Sequence, residues 1–363
     1  MKFLIIQTAF TGDVILATSV AEKLVHYFPK AQIDFLIRKG NESLFNNHPF
    51  IREVIVWDKK RNKFSNLFRI MTSVRKEKYD VVINLHRFGS SGLITALSGA
   101  KETLGFDKNP FSFLFTKKFR HEIGSGKHEI ERNHELIKHL TDNIPAKPTL
   151  YPNENDFKST FKITNPKPPE ASLAESGSQI PIRRRQVALK ADPKSPIPNP
   201  YICIAPASVW YTKQFPKEKW IELINHLLPN TLVYLIGSKD DRTLCDSILS
   251  GIQNRSPAMK SEMVKNLAGT LSFLESAALI KNASMNYVND SAPLHMASAI
   301  NAPVTAIFCS TIPRFGFGPL SDHFKIAETK IELDCRPCGL HGYHSCPKGH
   351  FKCALTIEVK DIL

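Results

Sequence analysis

Residues 2–8 (KFLIIQT), 9–13 (AFTGD) and 14–27 (VILATSVAEKLVHY) decide the fold. The first piece is a short, nearly unbroken apolar run of strand length. The last sets Ile15, Ala17, Val20, Ala21, Leu24 and Val25 largely on one helical face. A strand without polar alternation is buried on both faces, as in a parallel sheet covered by helices. The pattern then repeats. Residues 32–37 (QIDFLI), 53–57 (EVIVW) and 79–85 (YDVVINL) read as strands, and 66–76 as a helix. Beyond residue 200, the strand patterns 201–205 (YICIA), 231–236 (TLVYLI), 285–288 and 303–308 (PVTAIF) alternate with helical patterns at 217–228, 240–249, 272–281 and 292–300. The expected fold class is α/β, with two Rossmann-like, doubly wound domains facing across a cleft.

Length and charge agree with two domains. The chain has 363 residues, 42% hydrophobic and 23% charged, which suits two domains of about 150 residues. No uninterrupted apolar stretch reaches the roughly 18 residues of a membrane span. The formal charge of +14 is uneven: residues 1–150 carry 24 basic and 15 acidic side chains, 151–200 carry 8 and 5, and 201–363 carry 16 and 14. That distribution argues against a nucleic-acid coat and puts an anionic partner at the N-terminal half. Asp13 arrives before any small-residue cleavage site, so no secretory signal is read. Seven cysteines, four of them between 335 and 353, do not make the framework of a small secreted domain. A cytoplasmic, reducing compartment is expected.

Four segments follow. Residues 1–150 form the first α/β domain, and 201–334 the second. Between them, 151–200 reads as a linker or insertion, with Pro166, Pro168, Pro169, Pro181, Pro193, Pro196, Pro198, Pro200 and the run Arg183, Arg184, Arg185. It holds too few large apolar residues to offset its ordering entropy. Residues 335–363 form a Cys-rich tail with a terminal helix.

Ligands of parallel α/β sheets bind beyond the carboxyl ends of the strands, and three such turns carry chemistry. In the first, Asp13 follows a single glycine, Gly12, so the three-glycine dinucleotide fingerprint is absent. Asp13 either caps the next helix or projects a carboxylate into the cleft, and the two roles are compatible. The second turn, 205–216 (APASVWYTKQFP), interleaves Ser208, Thr212 and Lys213 with aromatic rings. That suits a phosphate beside a ring system, while a surface lysine is the plainer reading. The third, 289–295 (NDSAPLH), puts capping side chains and Pro293 before a small-residue helix, an anion site through its amides and dipole. His295 either faces that site or is satisfied in the core.

Together these motifs resemble glycosyltransferase family 9, the lipopolysaccharide heptosyltransferases. The resemblance runs through TGDVILATSV, PASVWYTKQFP, NDSAPLHMASAINAPVTAIF, Thr311-Ile312-Pro313-Arg314 and Gly316-Phe317-Gly318-Pro319. The tail CRPCGLHGYHSCPKGHFKC is similar to the ending of the heptosyltransferase II branch. The resemblance implies GT-B architecture and an inverting, metal-independent enzyme that requires no cofactor. It would move heptose from ADP-heptose to the Kdo/heptose inner core of lipopolysaccharide. Asp13 would be the base that takes the acceptor's proton; an ordinary Asp, of pKa about 3.9, is ionised at neutral pH. The donor would be held by Ser208, Thr212, Lys213, Asp290, Ser291, Ala292 and His295, with Asp241, or equally Asp240, on the ribose. Acceptor candidates are Thr11, Gly12, Arg61, Arg87 and Arg120. The enzyme would work peripherally at the inner face of the cytoplasmic membrane, without nucleic acid.

Three positions depart from the family. Ala292 stands where the family usually has Gly, which keeps a related transferase with another nucleotide sugar open as an alternative. A non-catalytic protein that binds anionic glycans is the other rival. Asn301 and Cys309 also replace family glycines, and Asn tolerates the left-handed conformation. In the tail, Cys335, Cys338, Cys346 and Cys353 supply enough ligands for a structural zinc; reduced thiols in a compact loop or a redox-labile disulfide are the other readings.

Overall fold

The structure, a computed structural model, describes residues 1–61, 63–164, 200–228, 231–253 and 263–363. The first half runs β1 (Lys2–Gln7), α1 (Thr11–Tyr27), β2 (Gln32–Arg38), β3 (Ile51–Trp57), α2 (Lys63–Glu77), β4 (Val81–Asn84), α3 (Gly89–Ala96), β5 (Glu102–Phe106), β6 (Lys117–Phe119) and α4 (Glu129–Glu135). After α5 (Glu154–Thr164) come β7 (Tyr201–Ala205), α6 (Lys217–Leu227), β8 (Leu232–Leu235), α7 (Arg242–Gln253), β9 (Val264–Asn266), α8 (Phe273–Asn282), β10 (Met285–Asn289), α9 (Ala292–Ala299), β11 (Val304–Phe308), β12 (Phe324–Glu328) and α10 (Lys352–Leu355).

The unbroken apolar runs feed two layers at once. In β1, Phe3 and Ile5 pack toward Val14, Val20 and Leu24 of α1. Leu4 and Ile6 pack on the other side with Ile70 and Val74 of α2 and Ile94 of α3. Burial of each such side chain stabilises the fold by about 1.5–3 kcal/mol. Both sheets are six-stranded and parallel, in the orders β3-β2-β1-β4-β5-β6 and β12-β11-β10-β7-β8-β9. The two orders are one topology, so each half has a crevice where the strand order reverses: beside β1 and β4, and beside β7 and β10.

The halves share apolar packing: one buried cluster runs from α1 into α8, α9 and β10. A Cβ on Gly12 would lie 2.6 Å from Cδ2 of His295, so the starts of α1 and α9 meet at a residue without a side chain. Asn301, at φ +52°, ends α9 in the left-handed region, and the Ala302 amide closes the cap on the Ala297 carbonyl at 2.9 Å.

Two boundaries differ from the sequence expectation. Residues 154–164, within the span read as a linker, form α5, whose Ser159 hydroxyl donates to Glu275 of α8 at 2.6 Å. The prolines from 166 to 198 and arginines 183–185 lie outside the described residues. The tail is not a detached piece either: Cys353, Ala354, Ile357, Val359 and Ile362 belong to the second half's core. The zinc reading also needs correction. Among the described residues no group of three or more His, Cys, Asp or Glu side chains is arranged to hold a metal ion, and all seven cysteines are free thiols. The tail is held instead by packing and main-chain bonds, such as Cys338 N–H to the Ser310 carbonyl at 2.8 Å. No helix among the described residues is long and apolar enough to cross a membrane.

Candidate active site

The two crevices face each other, and the turns beyond their central strands converge on Asp13. This residue stands in the first turn of α1, not at its cap, and its Oδ2 accepts from the Phe10 amide at 3.2 Å. It therefore secures the helix start and faces the cleft as well. Burial pushes its carboxyl up to about 6, against the amides of Phe10 and Asp13 and the charges of Lys213 and Arg87. The expectation of an ordinary carboxylate is corrected: Asp13 is a stronger base than free aspartate, still largely ionised above neutral pH.

One chamber, of about 180 Å³, lies on the C-terminal side and is lined by Ser208, Lys213, Asp290, Ser291, Ala292 and His295, with Thr11, Gly12 and Asp13 opposite. Small-molecule sites run to about 300–1,000 Å³, so this space suits the charged centre of a ligand rather than a whole nucleotide. Asn289 shapes it by tying both ends of the loop that carries Lys213 to the end of β10. Its Oδ1 accepts from the Phe215 amide at 3.0 Å and its Nδ2 donates to the Pro206 carbonyl at 2.8 Å. Lys213 pairs with Asp290 at 2.7 Å, and Asp290 also accepts from the Thr311 hydroxyl at 2.6 Å. Asp290 thus aims the lysine, leaving the ammonium's other hydrogens for a ligand. Ser291 is the N-cap of α9, but no side chain caps that helix. His295 is buried, its Nδ1 has no protein partner, and burial lowers it to about 4. It is a neutral ring at the chamber wall, unlike a satisfied core histidine.

Two of the predicted donor residues do not reach this chamber. Thr212 is buried: its hydroxyl accepts from the Tyr343 amide at 2.8 Å and from Ser310 at 3.1 Å, so it anchors the tail. Asp241 accepts from the amide and hydroxyl of Ser238 at 2.7 and 2.8 Å and secures the turn after β8. Asp240 is exposed outside the chamber.

A second chamber, of about 500 Å³, opens on the N-terminal side, where Arg38 ends β2 and Lys59, His86 and Arg87 stand beyond β3 and β4. Lys59 donates to the Thr8 carbonyl at 2.8 Å, and Arg38 lies over the Phe10 ring at 5.4 Å. Burial holds His86 at about 3 and His121 at about 4, so neither ring is charged at neutral pH. Of the predicted acceptor arginines only Arg87 lines this space. Arg61 is exposed outside it, and Arg120 reaches toward Glu122 at 3.3 Å. Arg120 follows β6, at the edge of the sheet, and Arg61 lies beyond Lys59 on the connection to α2, so neither lines the space beside β1 and β4; applying the strand-end rule to β2 and β3 would have found Arg38 and Lys59.

Phe10, Asp13, Phe317 and His341 line both chambers and so form the seam between them. Of the four, only Asp13 is a candidate site residue from the sequence. Phe317 sits on a turn of the second half that docks on α4. The Glu129 amide donates to the Gly316 carbonyl at 2.8 Å, Arg132 donates to the Phe315 carbonyl at 3.0 Å, and His128 meets the Gly318 carbonyl at 3.0 Å. Gly316, at φ +89°, cannot carry a side chain there, since a Cβ would lie 2.3 Å from the Lys127 carbonyl oxygen. Beneath this turn Glu129 pairs with Arg132 at 2.6 Å and lines the larger chamber. Burial pushes its carboxyl up to about 7, against the pull of Arg132 and helped by the negative charge of Asp13. His341 comes from the tail, within 3.5 Å of Arg87.

A carboxylate raised toward neutrality, between a lysine-and-helix pocket and a cationic pocket, is the arrangement a group transfer between two substrates needs. The model of "Glycosyltransferase family 9 (heptosyltransferase)" matches residues 67–339. Lipopolysaccharide heptosyltransferase 3 of Escherichia coli is 25% identical over 311 residues, covering 83% of this chain and 82% of its own. Lipopolysaccharide heptosyltransferase 1 of Pseudomonas aeruginosa is 22% identical over 93% of this chain and 86% of its own. Among solved structures, E. coli ADP-heptose lps heptosyltransferase II superposes with a TM-score of 0.74 at 20% identity, over 100% of this chain and 96% of that one. A family 9 glycosyl transferase from Veillonella parvula superposes with a TM-score of 0.77 at 19% identity, over 99% and 94%. With its two Rossmann-like halves in GT-B architecture, the chain belongs to glycosyltransferase family 9 and is an enzyme of the heptosyltransferase kind.

Proposed function

We propose that this enzyme moves heptose, with inversion and without a catalytic metal, from ADP-heptose to the Kdo/heptose inner core of lipopolysaccharide, on the cytoplasmic side of the membrane. The observation that carries the reading is the position of Asp13 at the seam of an anion-binding pocket and a cationic one. Its similarity to lipopolysaccharide heptosyltransferases supports the sugar and the acceptor class.

The small chamber would take the pyrophosphate and the sugar, with Lys213, the start of α9 at Ser291 and Ala292, and His295 around them. The larger chamber would take the acceptor, whose carboxylate or phosphate groups meet Arg38, Lys59 and Arg87. The acceptor oxygen then attacks the anomeric carbon from the face opposite the leaving group. The bond from that carbon to the ADP oxygen breaks as the new one forms, and the acceptor's proton passes to Asp13. The charge left on ADP lies beside Lys213, already oriented by Asp290, so little reorganisation is needed. Residues 1–150 would serve as the acceptor domain and 201–334 as the nucleotide-sugar domain.

The test is transfer by the purified protein to a Kdo-bearing acceptor, with ADP-heptose beside UDP- and GDP-sugars. Product from ADP-heptose alone supports the reading. Product only from another donor gives the alternative favoured by Ala292, and glycolipid binding without turnover with any donor would make the protein a binding module.

A further inference from the structure

The charge of the first half is concentrated further than its total suggests. Residues 59–120 hold fourteen Lys and Arg against four Asp and Glu. Three of those four acids are already paired: Glu77 with Lys2 and Arg52, Asp80 with Lys101, and Glu102 with Lys117. The same stretch displays large apolar side chains to solvent, with Phe64 81%, Phe68 67%, Phe88 58%, Phe113 71% and Leu114 52% exposed.

Topology gathers them. In a parallel sheet all strand ends point to one edge, and α2 and α3 start at that edge after β3 and β4 on the same side of the sheet. Phe64 and Phe68 occupy the first turns of α2, one turn apart and beside the stripe Leu67, Ile70, Met71 and Val74 that faces the core. Phe88 precedes α3, and Phe113 and Leu114 lie on the connection from β5 to β6. Asn109 ties that connection to the α3 start by donating to the His86 and Phe88 carbonyls at 3.1 and 3.0 Å. The aromatic rim therefore borders the larger chamber, which Phe88 itself lines.

Monomers rarely collect exposed apolar side chains at one edge. Here exposed Lys60, Arg61, Arg69, Lys108 and Arg120 belong to the same segments. Aromatic rings flanked by cations suit a bilayer with anionic headgroups: the rings enter the interface and the cations meet the lipid charge. We infer that this edge of the first half docks on an anionic lipid surface, holding the mouth of the larger chamber at the bilayer. The inference deepens the proposed function by giving the acceptor's lipid end a place to stay. Arg61 and Arg120, unplaced in the chamber, find their role at the surface.

The experiment is co-sedimentation of the full chain with vesicles of phosphatidylethanolamine and phosphatidylglycerol, with phosphatidylcholine vesicles as the neutral control. Wild type is expected to bind the anionic vesicles. Phe64→Ser with Phe68→Ser, and separately Phe113→Ser with Leu114→Ser, should lower the partition by about tenfold or more. Arg61→Glu with Arg69→Glu should lower it too, while transfer to a soluble, delipidated acceptor stays unchanged in all three. Wild type that remains in solution, or variants that bind as wild type does, overturns the inference. So does a wild-type dimer in sedimentation velocity that the substitutions split, because the face would then belong to a second copy. The vesicles carry no glycolipid or nucleotide sugar, so this binding reports docking alone; a protein that binds them yet moves no heptose in the separate transfer assay would refute the proposed function and leave the docking surface standing.

Discussion

The two chambers handle charge differently. In the smaller one the cation is already committed: Lys213 rests on Asp290, which Thr311 holds in turn, and the helix start and neutral His295 complete the wall. In the larger one Arg38, Lys59 and Arg87 stand at successive strand ends, and the nearby carboxylate, Glu129, is bound to Arg132. A preset lysine suits a leaving group whose charge appears during the reaction; cations spread over strand ends suit an acceptor that is anionic from the start. Asp13 at the seam is shared.

The comparison breaks first at Asp13. Asp13→Asn is expected to lower turnover by about 10²–10⁴-fold, measured under saturating donor and acceptor. The same substitution should stabilise the protein above pH 6. A carboxyl raised from 3.8 to about 6 in the folded state lets the unfolded chain ionise first as pH rises, so folded stability falls between those values and stays reduced above them. Removing the charge recovers up to about 3 kcal/mol, visible as a higher Tm at neutral pH and no gain near pH 3.

Next come the cations. Lys213→Met is expected to cut kcat/KM for the donor by about 10²–10³-fold with little change in acceptor KM. Arg38→Met is expected to raise acceptor KM by about ten- to a hundredfold and leave donor KM alone. Equal effects of both substitutions on one substrate would erase the distinction between the chambers. Glu129→Gln is a finer probe. With its own carboxyl raised to about 7, Glu129 is mostly protonated where Asp13 titrates, so the acid limb of kcat/KM should stay within about half a unit of wild type, and a larger move would show that ionised Glu129 bears on Asp13. Ala292→Gly should have the smallest effect, lowering donor KM by less than about threefold as backbone freedom returns to the phosphate-facing turn.

The central strands were legible because burial on both faces demands unbroken apolar runs: YICIA is β7 residue for residue. The edges were not. β6 is Lys117–Phe119 with two lysines, and β9 is the three residues Val264–Asn266, too short and too polar to carry a pattern. α4, EIERNHE, has one apolar residue and packs through Glu129 and Arg132, so no hydrophobic period exists to find. In the site, Asp13, Lys213 and the turn at Asp290 were readable because each follows a strand that the sequence shows clearly. Glu129 and His341 were hidden because only folding brings α4 and the tail to the seam. Thr212 and Asp241 lie outside the smaller chamber and bond to neighbouring loops, because polar residues at strand ends also hold loops together.

Asp13 is proposed as the base at the meeting point of two substrates. Its most direct test is the pH dependence of kcat/KM for heptose transfer, in wild type and in Asp13→Asn. The wild-type rate is expected to rise through an acid limb near the raised value of about 6 and level off above it, with that limb absent from the substituted enzyme. A substituted enzyme that keeps the same limb, or that turns over within about tenfold of wild type, would contradict it.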